Sequence, residues 1–299
     1  MSRVIALWRT KTIGIISGAW TDYFELTKPR LVSLVLLSTT VGFYLAYPAG
    51  INSFSFVLTL VATAFVAAGS MALNQFLERG VDAKMIRTQA RPLPSGRLKP
   101  SQALWFGLIA SVFGFLMFIF FVNLTSALLA FLTWASYLFI YTPLKNKTSL
   151  STIIGAVPGA LPPMIGWAGA NGAVNFHSFL LFMIIFFWQL PHFLAIAWIY
   201  RADYARAGQP ILSVVDREGK FVARQMILNM CALMPVSLLP TIFGLTGVVY
   251  FFGAFALGLC FAAAIIFSAS NLDLRARYVL RASIVYLAAL LILMVIDKV

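Results

Sequence analysis

Four stretches of this chain, 31–77, 100–144, 148–200 and 225–272, contain no Asp, Glu, Lys or Arg. A helix needs roughly 20 residues to cross the hydrocarbon core of a bilayer, so each stretch can hold two crossings and a tight turn. A turn signal stands near the middle of each: Pro48-Ala49-Gly50-Ile51-Asn52, Val122-Asn123, Ala170-Asn171-Gly172 and Gly244-Leu245-Thr246-Gly247. A ninth apolar segment occupies about 278–296. The expectation is an all-α integral membrane protein of nine transmembrane helices. Composition excludes the soluble alternative: of 299 residues 61% are hydrophobic and only 10% charged, more apolar surface than a soluble fold of this size can hide. Cys231 and Cys260 lie alone in apolar stretches without CxxC spacing, which excludes a disulfide framework and a cysteine metal site.

The pairing of spans sets the topology. Segments 1–30, 78–99, 145–147, 201–224 and 273–281 are each separated by two spans and so share one side of the membrane. They carry 21 of the 22 Lys and Arg residues; only Lys298 falls opposite. By the positive-inside rule that side, with the N-terminus, is cytoplasmic. The formal charge of +13 is therefore a topology signal rather than a nucleic-acid footprint, since no basic face is interleaved with stacking aromatics. Residues 1–30, with Arg3, Arg9 and Lys11, read as a cytoplasmic amphipathic lead-in; they lack the length of a transit peptide and an A-x-A-like cleavage site. The whole of 1–299 reads as one domain, with 78–99 and 201–224 as the loops on which a site would be built.

Eight of the nine acids lie on the cytoplasmic side. The densest set is Asn74, Glu78 and Asp82, whose spacing of four places them on one helical face. Two carboxylates and an amide facing one way suit a hard cation such as Mg²⁺, and they equally suit a solvated helix end. Lys84, Arg87, Arg91 and Arg97 follow directly, a pattern that fits a metal-chelated polyphosphate. Pro92, Pro94 and Gly96 are expected to end the helix and fold a loop over it. Four spans later, Asp203 stands among Tyr200, Arg201, Tyr204 and Arg206, so parity puts it at the same membrane face. It is either an interfacial acid paired with Arg206 or a second metal contact. His192, eleven residues earlier and next to Pro191, falls inside the bilayer, as a satisfied core residue or a contact to a polar or metal-bearing substrate.

At these residues the chain resembles the UbiA superfamily of intramembrane prenyltransferases, on its haem-modifying branch. The strings that carry the resemblance are Asn74-x3-Glu78-x3-Asp82, MIRTQARPLPSGR at 85–97, YTPLKNKTSLSTIIGAVPGALPPMIGW at 141–167, and FWQLPHFLAIAW with DYARAGQPIL within 187–212. The resemblance implies nine helices around a central cavity opening toward the cytoplasmic side of a bacterial inner membrane. It implies Mg²⁺ as cofactor, held by Asn74, Glu78, Asp82 and Asp203, and a diphosphate held by Lys84, Arg87, Arg91, Lys145 and Lys147. His192 becomes a haem-binding residue. The implied reaction moves a farnesyl group from farnesyl diphosphate to a vinyl group of haem B, giving haem O. The implied partners are those two substrates, the lipid bilayer and the enzyme that next modifies the haem. Two departures stand out: Glu78 where most of the superfamily has Asp, and Ala207 where the quinone branch carries a further Asp. An aromatic quinone precursor as acceptor, and a secondary transporter with two related half-sites, are the competing readings. Acids gathered at one face rather than at the bilayer midplane speak against the transporter.

Overall fold

The computed structural model describes residues 19–47 and 53–299. A short helix, α1 (Ala19–Leu26), leads into nine helices long and apolar enough to cross a membrane. These are α2 (Pro29–Ala46), α3 (Ser53–Asp82), α4 (Pro100–Val122), α5 (Leu124–Leu144), α6 (Ser151–Asn171) and α7 (Phe176–Ile199), then α10 (Lys220–Ile242), α11 (Val248–Ala269) and α12 (Leu272–Ile296). Two short helices, α8 (Arg201–Arg206) and α9 (Leu212–Val215), lie between α7 and α10. The nine expected spans are all present, and no strand occurs among the described residues. The lead-in before Ala19 and the turn at 48–52 lie outside those residues.

Local chemistry explains the turns that are described. The Asn123 carboxamide accepts from Ser126 N at 2.8 Å and caps α5, and Asn175 caps α7 in the same way. Gly172 and Gly244, at φ 74 and 73, reverse the chain in a left-handed conformation open to glycine. Two boundaries differ from expectation. The last span begins at Leu272, not near 278, because the Asn271 side chain caps it and Asp273 occupies its first turn; Arg275, Arg277 and Arg281 are therefore helical. The second span ends at Asp82, well before Pro92, because the Thr88 hydroxyl turns back to take the Asp82 carbonyl at 2.8 Å. Residues 83–99 form a run of turns.

Small residues let the spans approach closely. A Cβ on Gly42 of α2 would stand 2.0 Å from the Pro163 carbonyl oxygen of α6. One on Gly166 of α6 would stand 1.9 Å from the Thr39 carbonyl oxygen of α2. Within α5, Ser136–Tyr141 form a π-helical segment. The largest buried apolar cluster draws on α7, α10, α11 and α12. At the far end of the bundle Lys298 donates to the Tyr44 carbonyl at 2.7 Å and to that of Tyr47, while Asp297 Oδ2 accepts from Tyr250 N at 2.6 Å.

Candidate functional site

Asn74, Glu78 and Asp82 occupy successive turns at the end of α3, each at most 5% exposed. Burial at that level demands partners, and each residue has one from a different part of the chain. Lys145, just past α5, pairs with Glu78 at 2.8 Å; Arg91, from the 83–99 turns, pairs with Asp82 at 2.7 Å. Lys28, just before α2, donates to Asn74 Oδ1 at 2.8 Å. The Asn74 amide in turn donates to Thr142 Oγ1 at 3.2 Å, and that hydroxyl donates to the Tyr137 carbonyl at 2.8 Å. The π-turn of α5 is thereby tied to the acidic stripe of α3.

Two lysines feel this setting in opposite ways. Burial, helped by nearby Arg91, pushes the Lys28 ammonium down to about 7. Burial also opposes the charge on Lys145, but Tyr141, Glu78 and Tyr204 outweigh it and hold that ammonium above the ordinary lysine range.

Below the stripe lies a cavity of about 250 Å³ between α2, α3, α5 and α6. Leu31, Val35, Met71, Tyr137, Tyr141 and Phe193 are among its walls. Two of its hydroxyls are turned away: Thr63 donates to the Thr59 carbonyl at 2.7 Å and Ser70 to that of Val66 at 2.8 Å. Ser70 stands one helical turn before Asn74, so the apolar space begins where the charged cluster ends. A smaller void of about 70 Å³ shares Tyr141 and Phe193 with the cavity and reaches Lys145 and Tyr204.

Asp203 on α8 comes to the same region. It is 7% exposed, pairs with Arg206, and accepts from the Arg87 backbone N–H at 3.3 Å. The Arg87 guanidinium lies over the Tyr200 and Tyr204 rings at 4.9 and 5.9 Å. One run of turns, 83–99, thus clasps both acidic motifs, through Arg91 on one and Arg87 on the other. The expected four-residue metal set is not drawn together as a single cluster. Among the described residues no three His, Cys, Asp or Glu side chains converge closely enough to hold a metal ion. Glu78 and Asp82 form one subsite and Asp203 another, with every carboxylate on a base. The donor chemistry still fits a hard cation, because Mg²⁺ binds through one or two carboxylates and completes its shell with water and substrate phosphates.

Not every expected residue joins the cluster. Lys84 and Lys147 are exposed and pair with none of these acids. Arg97 is a strut, bonding Asp22 and, at 2.7 Å, Glu25 of α1. His192 faces α12 rather than the cavity that its neighbour Phe193 lines. Its ring stacks on Trp188 at 5.1 Å, and Nδ1 meets Ser283 Oγ at 2.8 Å. The same Ser283 hydroxyl lies 2.7 Å from the Leu280 carbonyl, so the imidazole is held between Trp188 and α12. Sequence reasoning missed Lys28, Thr142 and the Gln209–Asn146 bond of 2.9 Å that latches the second loop to the end of α5. Lys28 stands directly before Pro29 in LTKPRL at 26–31, the local signal that could have marked it.

Residues 35–294 match the UbiA prenyltransferase family. The chain belongs to that family. It is 46% identical over 287 residues to the protoheme IX farnesyltransferase of Solibacter usitatus (strain Ellin6076), covering 93% of this chain and 98% of that protein. Its fold is similar to that of a solved digeranylgeranylglyceryl phosphate synthase, with a TM-score of 0.78 at 17% identity over 93% of this chain and 98% of that one. It is also similar to a UbiA homolog from Archaeoglobus fulgidus bound to DMAPP and Mg²⁺, with a TM-score of 0.63 at 16% identity over 91% and 99% of the two chains. As a family member the chain is a multi-pass membrane prenyltransferase.

Proposed function

We propose that this prenyltransferase moves the farnesyl group of farnesyl diphosphate to a vinyl group of haem B, producing haem O. The observation that carries the reading is the set of buried oxygen donors, each met by a base, at the mouth of an apolar cavity. The Solibacter relative, named for that reaction, supports the choice of acceptor. Asn74, Glu78, Asp82 and Asp203 would hold Mg²⁺, which when bound supplies Lewis-acid neutralisation of the leaving diphosphate. Arg87, Arg91 and Lys145 hold the diphosphate as the allylic C–O bond ionises, with Lys84 and Lys147 on the exposed rim. Tyr137 and Tyr141, stacked at 5.6 Å, present ring faces that stabilise the allylic cation. The Thr63 and Ser70 hydroxyls donate to carbonyls of their own helix, which turns those two groups away from the cation. The vinyl carbon forms the new C–C bond to the allylic cation, and water adds to the carbocation so formed and loses a proton, giving the hydroxyethylfarnesyl product. His192 would be the haem-contacting residue, its imidazole supplying a nitrogen to the acceptor.

The deciding experiment incubates membranes containing the protein with haem B, farnesyl diphosphate and Mg²⁺, then weighs the extracted haems. Haem O is the expected product. Recovery of unmodified haem B beside a prenylated quinone precursor would move the acceptor to the quinone branch.

A further inference from the structure

Three oxygen donors stand one turn apart on α3, and a base meets each, but the three pairings are unequal. Glu78 and Asp82 are anions facing Lys145 and Arg91. Asn74 is neutral, and it faces Lys28. Lys28 forms no ion pair among the described residues and is half-buried. An ammonium desolvated against an amide keeps a penalty that only an anion offsets.

A lysine in that position ordinarily extends its stem and reaches water. Lys28 instead runs inward to Asn74. At φ 49 it is the single non-glycine residue in left-handed conformation among the described residues, and it precedes Pro29, where an extended backbone is the rule. The Lys28 carbonyl caps α2, accepting from the Leu31 and Val32 N–H groups at 2.8 and 3.2 Å, while its side chain bonds Asn74. Strain of this kind persists where the surroundings hold it, and it gathers at ligand sites. Leu31 and Val35, on the following turns, line the apolar cavity, so the amine stands at the cavity's mouth.

We infer that Lys28 is a further diphosphate-binding residue, the basic group at the acidic stripe that has no carboxylate partner among the described residues and receives its counter-anion when the allylic diphosphate arrives. This rests on the prenyl-transfer reading of the same site and names an additional residue for its head group.

The test titrates inorganic diphosphate with Mg²⁺, in the absence of haem, into full-length protein in nanodiscs. Glycine adopts φ 49 freely, so Lys28→Gly removes the amine while easing the backbone. The expected result is a thermal midpoint equal to or above that of the unaltered protein and a diphosphate affinity weaker by about tenfold or more. Lys28→Arg, which keeps the charge, should recover most of that loss. Diphosphate affinity unchanged in Lys28→Gly overturns the assignment, as does a loss that tracks a fallen midpoint and is not recovered by arginine. If the unaltered protein binds no diphosphate, the prenyl-transfer reading itself falls and takes this assignment with it.

Discussion

Asp82 does two things at once: its carboxylate holds Arg91, and its carbonyl takes the Thr88 hydroxyl that turns the chain back over the site. Asp82→Asn preserves the second and deletes the first. The variant should accumulate in membranes at the normal level while haem O formation falls by about a hundredfold or more, the scale of losing one electrostatic stabiliser. Normal turnover at limiting Mg²⁺ would remove Asp82 from the site. At His192 the expected outcome is spectroscopic. His192→Ala should shift the absorbance of bound haem and weaken haem binding while diphosphate binding survives; an unchanged spectrum with normal haem O formation would make His192 a packing residue against Trp188. The alignment of Asn74, Glu78 and Asp82 was legible beforehand because helical periodicity is local. Their partners were not. Lys28 lies 46 residues from Asn74 and Thr142 lies 68 away, and no periodicity links positions so far apart.

Among the elements, the π-helical Ser136–Tyr141 sets how α5 meets α3. π-Segments recur at functional sites because an extra residue in the turn re-aims the side chains beyond it. Here they deliver Tyr137 and Tyr141 to the cavity and Thr142 to Asn74. Deleting Phe139, a lipid-facing residue of that segment, should restore an α-turn and rotate one group against the other by about 100°. Membrane insertion should persist while turnover falls by about a hundredfold, the cost of misplacing a catalytic constellation. Equal haem O yields per unit of protein would show the segment to be incidental. A second outcome concerns the α2–α6 crossing. Gly166→Ala places a methyl group against the Thr39 carbonyl and should lower stability by about 1–3 kcal/mol, read as a lower thermal midpoint in detergent. Helix ends were the least legible elements. Prolines suggested where α3 would stop, yet a hydroxyl reaching back from Thr88 stops it earlier. The charge of Asp273 suggested a loop, yet a capped helix accepts an acid in its first turn.

For the molecule as a whole, nine spans could be counted in advance because the charge-free runs leave the chain no other way to bury them. Their sidedness is open to a direct test. Cys231 and Cys260, both exposed along spans, would first be replaced by serine. Single cysteines in 85–97 should then react with an impermeant reagent only from the cytoplasmic side, and one at Asn171 only from the opposite side. Reaction of both from one side would break the alternation. The bonds made by Lys298 bear on how the bundle is built in the cell. The carbonyls that close α2 wait for an ammonium 254 residues further along the chain. During synthesis the first span therefore enters the bilayer with that end unlatched, and eight more follow before the latch exists. Contacts of such long sequence separation form late. Biogenesis of this enzyme should end, rather than begin, with the fastening of its first transmembrane helix.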